Sequence, residues 1–216
     1  MSKKYEIFLF DLDGTITDSA LGITNSVMYA LKKFGIEETD RTKLYKFIGP
    51  PLTESFEKFY GFTKEQSLDG VKYYREYYHD KGIYENRVYD GLEEVLKKIN
   101  EAGKQAIVAT SKPEEYAKII IDHFHLTQYF ACVAGMEMDG GRGTKAQVIT
   151  YALEKNDITD KSKALMIGDR EHDVIGAHEN GLDCLGILYG FGSRKEFEEA
   201  GADYIRENVE DILQFV

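Results

Sequence analysis

Tyr5-Glu6-Ile7-Phe8-Leu9-Phe10-Asp11-Leu12-Asp13-Gly14-Thr15 passes without a break from an apolar run to two acids and a Gly-Thr turn. A near-continuous apolar run of this length reads as a strand covered on both faces, the condition of a parallel sheet. Residues 105–109, 131–134, 164–167 and 184–188 have the same character. Amphipathic segments lie between them. Leu92, Val95, Leu96 and Ile99 recur at helical spacing, and Gly103 supplies a C-terminal stop. Strands alternating with helices predict an α/β fold with a doubly wound, Rossmann-like parallel sheet, whose ligands bind outside the carboxyl ends of the strands.

One stretch breaks the alternation. From Thr17 to Gly82 the sequence carries only helical patterns, with Ile23, Val27, Leu31 and Phe34 on one helix face. So long a segment exceeds a simple crossover. It predicts a helical cap domain over residues 17–83, inserted into a core domain made of residues 1–16 and 84–216.

Charge narrows the partners. Lys and Arg number 27 against 38 Asp and Glu, a net charge of −11. Such a field repels nucleic-acid polymers and anionic membranes, leaving a small molecule as the expected partner, with no obligatory protein partner implied. No run of eighteen apolar residues and no signal-like segment occurs, so a soluble, cytoplasmic protein is expected. The two cysteines, Cys132 and Cys184, form no C-x-x-C pair and read as buried hydrophobes in a reducing compartment.

The chemistry collects at strand ends. Asp11 and Asp13, two residues apart at the exit of a buried strand, repel each other and call for a cation or for distinct protonation roles. The next core strand ends in Thr110-Ser111-Lys112-Pro113, bringing hydroxyls and a cation to the same edge. Taken alone, Ser111 reads as a helix N-cap before a proline-started helix. Lys145 opens a helix after the glycine-rich 140–143 loop; the spacing of a P-loop is absent, and a solvated helix-start lysine is the alternative. Asp169 and Asp173, four apart after the 164–167 run, can face one point, and their hard oxygens suit Mg²⁺. His172 lies between these two acids and reads as an exposed or supporting group, while His123 and His125 point to different helix faces. In the cap, the run from Val71 to Tyr78 holds four tyrosines, which read as the cap's own core and rim, with stacking on a nucleobase as the alternative.

Asp11-Leu12-Asp13-Gly14-Thr15, Thr110, Lys145 and Gly168-Asp169 through Asp173 resemble, in order, the four motifs of the haloacid dehalogenase superfamily, and the helical insertion resembles its C1-type cap. Phe47-Ile48-Gly49-Pro50-Pro51-Leu52, the 168–177 segment and Tyr189-Gly190-Phe191-Gly192-Ser193 resemble the 5′-nucleotidase-like members of its phosphoglycolate phosphatase-like branch. The resemblance implies a Mg²⁺-dependent phosphomonoesterase. Asp11 would be the nucleophile, carrying an aspartyl-phosphate, and Asp13 the acid and base. Thr110 and Lys145 would bind phosphoryl oxygens, with Gly14, Thr15 and Ser111 as further substrate-binding residues. Mg²⁺ would be held by Asp11, the Asp13 backbone carbonyl and Asp169, with Asp173 in support. Lys46 and Arg75 are candidate cationic contacts from the cap. A phosphosugar mutase of the β-phosphoglucomutase type shares all four motifs. A phospho-accepting receiver module is the non-enzymatic alternative, disfavoured by the cap and by the acid at Asp13.

Overall fold

The computed structural model describes residues 3–138 and 141–216; Gly140 of the glycine-rich loop lies outside them. The chain forms two compact units, Met1–Thr17 with Val88–Val216, and Asp18–Arg87. Strand β1 (Ile7–Phe10) opens the larger unit. The chain leaves it through β2 (Thr17–Asp18) and builds the smaller unit from α1 (Ala20–Lys33), α2 (Leu52–Tyr60) and α3 (Lys64–Tyr77). It returns through β3 (Arg87–Val88), which pairs with β2 in a two-stranded ribbon. The larger unit then alternates α4 (Leu92–Glu101), β4 (Gln105–Pro113), α5 (Glu114–His123), β5 (Val133–Met136), α6 (Lys145–Lys155), β6 (Ala164–Gly168), α7 (Glu171–Glu179), β7 (Asp183–Ile187), α8 (Arg194–Ala200) and β8 (Tyr204–Arg206).

Six parallel strands lie in the order β5-β4-β1-β6-β7-β8. The apolar runs form the inner strands because helices cover both faces: Phe8, Leu9 and Phe10 have no exposed surface, and Ala164 to Ile167 have none either. Each such large side chain contributes about 2 kcal/mol on leaving water. Leu9, Ile107 and Met166 pack with Val148, Ile149 and Leu153 of α6 and Val174 of α7, so the two helices that carry Lys145 and Asp173 are seated on the sheet by their apolar faces.

The smaller unit has its own interior. Ile23, Val27 and Leu31 of α1 are buried, as are Phe47, Phe56, Tyr74 and Tyr78. Thr63 and Gln66 cap α3 reciprocally. Thr17, which the sequence assigns to the cap, groups with the larger unit, and residues 84–87, which it assigns to the core, group with the smaller. Glu85 explains why: its carbonyl accepts from the Gly22 amide, and its carboxylate accepts from Asn25 and the Tyr77 hydroxyl. Both cysteines are free thiols. Among the described residues no helix is long and apolar enough to cross a membrane.

Candidate active site

Parallel register brings the chemistry together. Phe10 pairs with Val108 of β4 on one side and with Ile167 of β6 on the other. The residues that follow therefore emerge side by side at the carboxyl edge. Because β1 lies between strands reached in opposite directions along the sheet, this is its switch point, where open α/β sheets bind ligands. Asp11 still obeys the strand, its amide donating to the Ile167 carbonyl at 2.9 Å. The chain then turns tightly, the Leu12 carbonyl accepting from the amides of Ile16 and Thr17 at 2.9 and 3.0 Å.

Lys145 is the first residue of α6, after the N-cap Thr144, which shares a capping box with Gln147. A cation at a helix N-terminus opposes the helix dipole, and this one is also buried. The solvated-lysine alternative is thereby overturned. Its ammonium donates to Asp11 Oδ1 at 2.7 Å and to the Ala109 carbonyl at 2.8 Å, and it faces Asp173 Oδ1 at 2.7 Å. Burial by itself would depress the Lys145 pKa; the charges of Asp11 and Asp173 outweigh it and raise the pKa instead. Asp173 is the third residue of α7, and its Oδ2 accepts from the Arg170 amide at 3.1 Å. Burial pushes Asp173 upward, and the neighbouring lysine opposes the push.

Asp169 has no exposed surface. Its Oδ2 accepts from the Phe191 amide at 2.9 Å, and Thr15 donates to Oδ1 at 3.4 Å. Burial, then repulsion from Asp11 and Asp173, raises its pKa well above the ordinary value. The backbone closes around it. A Cβ on Gly14, whose φ is +86°, would fall 2.1 Å from Asp169 Oδ2, and one on Gly190 would fall 2.4 Å from its Cβ. Only glycine permits this approach.

Asp11, Asp169 and Asp173 each offer an oxygen within 4.8 Å of the others. Of these three buried carboxylates only Asp11 and Asp173 meet the Lys145 ammonium, and all the donors are hard oxygens, which fits a divalent cation such as Mg²⁺. The Asp13 carboxylate stands outside this group. Its Oδ2 accepts from the Lys112 ammonium at 2.6 Å, while Oδ1 is buried without a hydrogen-bond partner among the described residues. Thr110 is buried, its hydroxyl oxygen accepting from the Lys112 amide at 3.2 Å.

Asp11, Asp13, Gly14, Thr15, Thr110, Lys145, Asp169 and Asp173 thus gather at one sheet edge. Ser111 is half-buried there, inside β4; it is no N-cap, since α5 begins after Pro113. Lys46 and Arg75 belong to the smaller unit, where Lys46 is exposed with its ammonium 4.3 Å from the centre of the Phe59 ring and Arg75 is half-buried on α3. His172 is half-buried on α7. Tyr74 and Tyr78 are buried and stacked on each other at 5.3 Å, the core reading of the cap tyrosines. The sequence reading missed the Phe191 amide, a main-chain group that no residue type announces. It also missed the Tyr189 hydroxyl, which donates to the Thr15 carbonyl at 3.0 Å; two glycines around a large aromatic in the 189–192 segment were the available signal.

A parallel α/β sheet with acids, a lysine and a hydroxyl at its switch point defines a phosphoryl-transfer class of fold and site. The family model for haloacid dehalogenase-like hydrolases matches residues 8–187. The chain belongs to that family and is an enzyme of its phosphatase class. A 5′-nucleotidase of Pseudomonas aeruginosa is 45% identical over 193 residues, 89% of this chain and 87% of that protein. The tyrosine-protein kinase PtkA of Mycobacterium tuberculosis is 35% identical over 187 residues, 87% of this chain and 63% of its own length. The crystal structure of a predicted phosphatase from Clostridium acetobutylicum superposes with a TM-score of 0.94 at 48% identity, covering 98% of each chain.

Proposed function

We propose that this phosphatase hydrolyses a small phosphomonoester, a 5′-nucleoside monophosphate, through a phosphoryl group carried transiently on Asp11. The observation that carries the reading is the contrast between two carboxylates two residues apart. Asp11 is buried and held by Lys145, whereas Asp13 is turned to Lys112 with Oδ1 unpartnered among the described residues. Asp11 attacks phosphorus, the bond to the leaving oxygen breaks, and Asp13 delivers its proton to that oxygen. Asp13 then takes a proton from water, whose oxygen attacks phosphorus and frees Asp11.

The Thr110 hydroxyl and the Lys145 ammonium bind the phosphoryl oxygens and offset the charge that builds on them. Gly14, Thr15 and Ser111 complete the phosphoryl site. Asp11, Asp169 and the Asp13 backbone carbonyl would hold Mg²⁺, with Asp173 in support. When bound, the ion supplies the positive charge that lets an anionic carboxylate and an anionic phosphate approach each other. Lys46 and Arg75 are the proposed contacts for a substrate whose leaving group is an anion, as in phosphoglycolate, and a neutral nucleoside would not call on them.

The substrate class is supported by the 45% identity to a protein named 5′-nucleotidase. The net charge of −11 disfavours long polyanions, and a cytoplasmic setting suits a soluble metabolite. Phosphate release from a panel of nucleoside monophosphates, phosphoglycolate, a phosphopeptide and β-glucose 1-phosphate tests the proposal. A nucleoside monophosphate is expected to give the highest kcat/KM. A higher value for phosphoglycolate than for every nucleotide would replace the substrate, and a phosphosugar isomer in place of free phosphate would make the enzyme a mutase.

A further inference from the structure

Lys112 is only 8% exposed, and the proposed chemistry leaves it without a task. A buried ammonium is costly unless an opposite charge faces it. Here that charge is Asp13, at 2.6 Å, and both side chains are largely buried. The Lys112 amide donates to the Thr110 hydroxyl oxygen at 3.2 Å. One residue therefore grips two groups of the site, Thr110 through its main chain and Asp13 through its side chain. The backbone makes this reach possible: the pairing of β4 with β5 shifts register between Ala109 and Pro113. Such an irregularity re-aims side chains at the end of a strand.

We propose that Lys112 is a positioning residue for the leaving-group proton, an inference that rests on the phosphomonoesterase reading above. It fixes the Asp13 carboxyl through Oδ2 and leaves Oδ1, which has no hydrogen-bond partner among the described residues, as the atom that meets the leaving oxygen. As the bond from Asp11 to phosphorus forms and the bond from phosphorus to the ester oxygen breaks, the Asp13 proton passes to that oxygen. The products are an alcohol, phosphorylated Asp11 and an Asp13 carboxylate in the 2.6 Å ion pair with Lys112 that the structure shows. No further reactant is required.

The consequence depends on the leaving group. The alkyl oxygen of a nucleotide needs a proton to depart, whereas p-nitrophenolate departs without one. Lys112→Met is expected to lower kcat/KM for a 5′-nucleoside monophosphate by about 30-fold, and for p-nitrophenyl phosphate by less than about 3-fold. Asp13→Asn should show the same split, and adding Lys112→Met to it should cost nothing more, because the two residues act as a unit. Thermal melting verifies that each variant is folded. Should Lys112→Met fail to fold, Lys112→Gln, which keeps a donor and most of the length, carries the same comparison with the same split. Equal losses on both substrates, or none on either, would overturn the role of Lys112. A split in Asp13→Asn without one in the Lys112 variant overturns this inference alone. Absence of the split in Asp13→Asn overturns the acid role of Asp13 and the inference with it.

Discussion

The Lys145 ammonium stands 2.7 Å from Asp11 Oδ1, and neither side chain is more than 9% exposed. Asp173 is held by the same ammonium. Lys145→Met would therefore leave two buried carboxylates without a counter-charge, a change that typically costs about 3–5 kcal/mol. A cation bound by the same acids offsets part of that loss. We expect the melting temperature of Lys145→Met to fall sharply in chelator and to recover in part with Mg²⁺, while turnover stays at least about a hundredfold below the native enzyme. Thermal melts with and without Mg²⁺, beside phosphate release, check this.

Gly190 and Asp169 form a second test, because the donor set can be disturbed without removing a donor. A Cβ at position 190 would lie 2.4 Å from both Asp169 Cβ and the Gly14 carbonyl oxygen. Gly190→Ala should raise the Mg²⁺ concentration giving half-maximal activity by about 10- to 100-fold, in the same direction as Asp169→Asn. Metal titration of activity reads it. An unchanged titration in a folded variant would place the metal elsewhere. In the native enzyme, Ca²⁺ should replace Mg²⁺ poorly, since the larger ion tolerates looser geometry.

The stacked pair Tyr74 and Tyr78 leads to a stability prediction in place of a substrate one. Tyr78→Ala removes a side chain that is 2% exposed, with an expected cost of about 3 kcal/mol. Its effect on KM should be no greater for a nucleotide than for p-nitrophenyl phosphate. Denaturant unfolding and the two Michaelis constants decide between a core and a base-stacking role.

Acid stability should depend on the Asp183 cluster. Burial pushes the Asp183 carboxyl up, but hydrogen bonds from Lys3 and the Tyr5 hydroxyl outweigh it and hold the pKa below the ordinary value. A carboxyl depressed in the folded state stabilises the protein above its unfolded pKa of about 3.9, and the contribution is lost as pH falls through the folded value. Asp183→Asn should therefore be less stable than the native protein at pH 7, by about 1 kcal/mol. The gap should close as both are melted at successively lower pH below about 4.

Much of this was legible because burial leaves a plain signal. The runs before Asp11, Thr110 and Asp169 are continuous and apolar, so strand ends, and hence the acids that leave them, could be placed without coordinates. β8 was not legible. Tyr204-Ile205-Arg206 is a half-buried edge strand of three residues with no apolar run. The β2 and β3 pair, two residues each, is too short to show a period. Lys145 was visible as a helix-start lysine, but its burial was not, because the sequence does not show which carboxylates surround it. The contact between Lys112 and Asp13 depends on a register shift in β4, and the Phe191 amide on a turn held open by glycine. Neither is a property of residue type.

The central claim is that Asp11 carries the phosphoryl group. Rapid mixing of the native enzyme with a 5′-nucleoside monophosphate labelled at phosphorus, followed by acid quench and peptide mapping, measures it directly. We expect a burst of label that is stable to acid, released by hydroxylamine and located on the peptide containing Asp11, and no label in a folded Asp11→Asn variant whose turnover has fallen by several orders of magnitude. Turnover without any labelled protein, or label that persists in Asp11→Asn, would contradict the account.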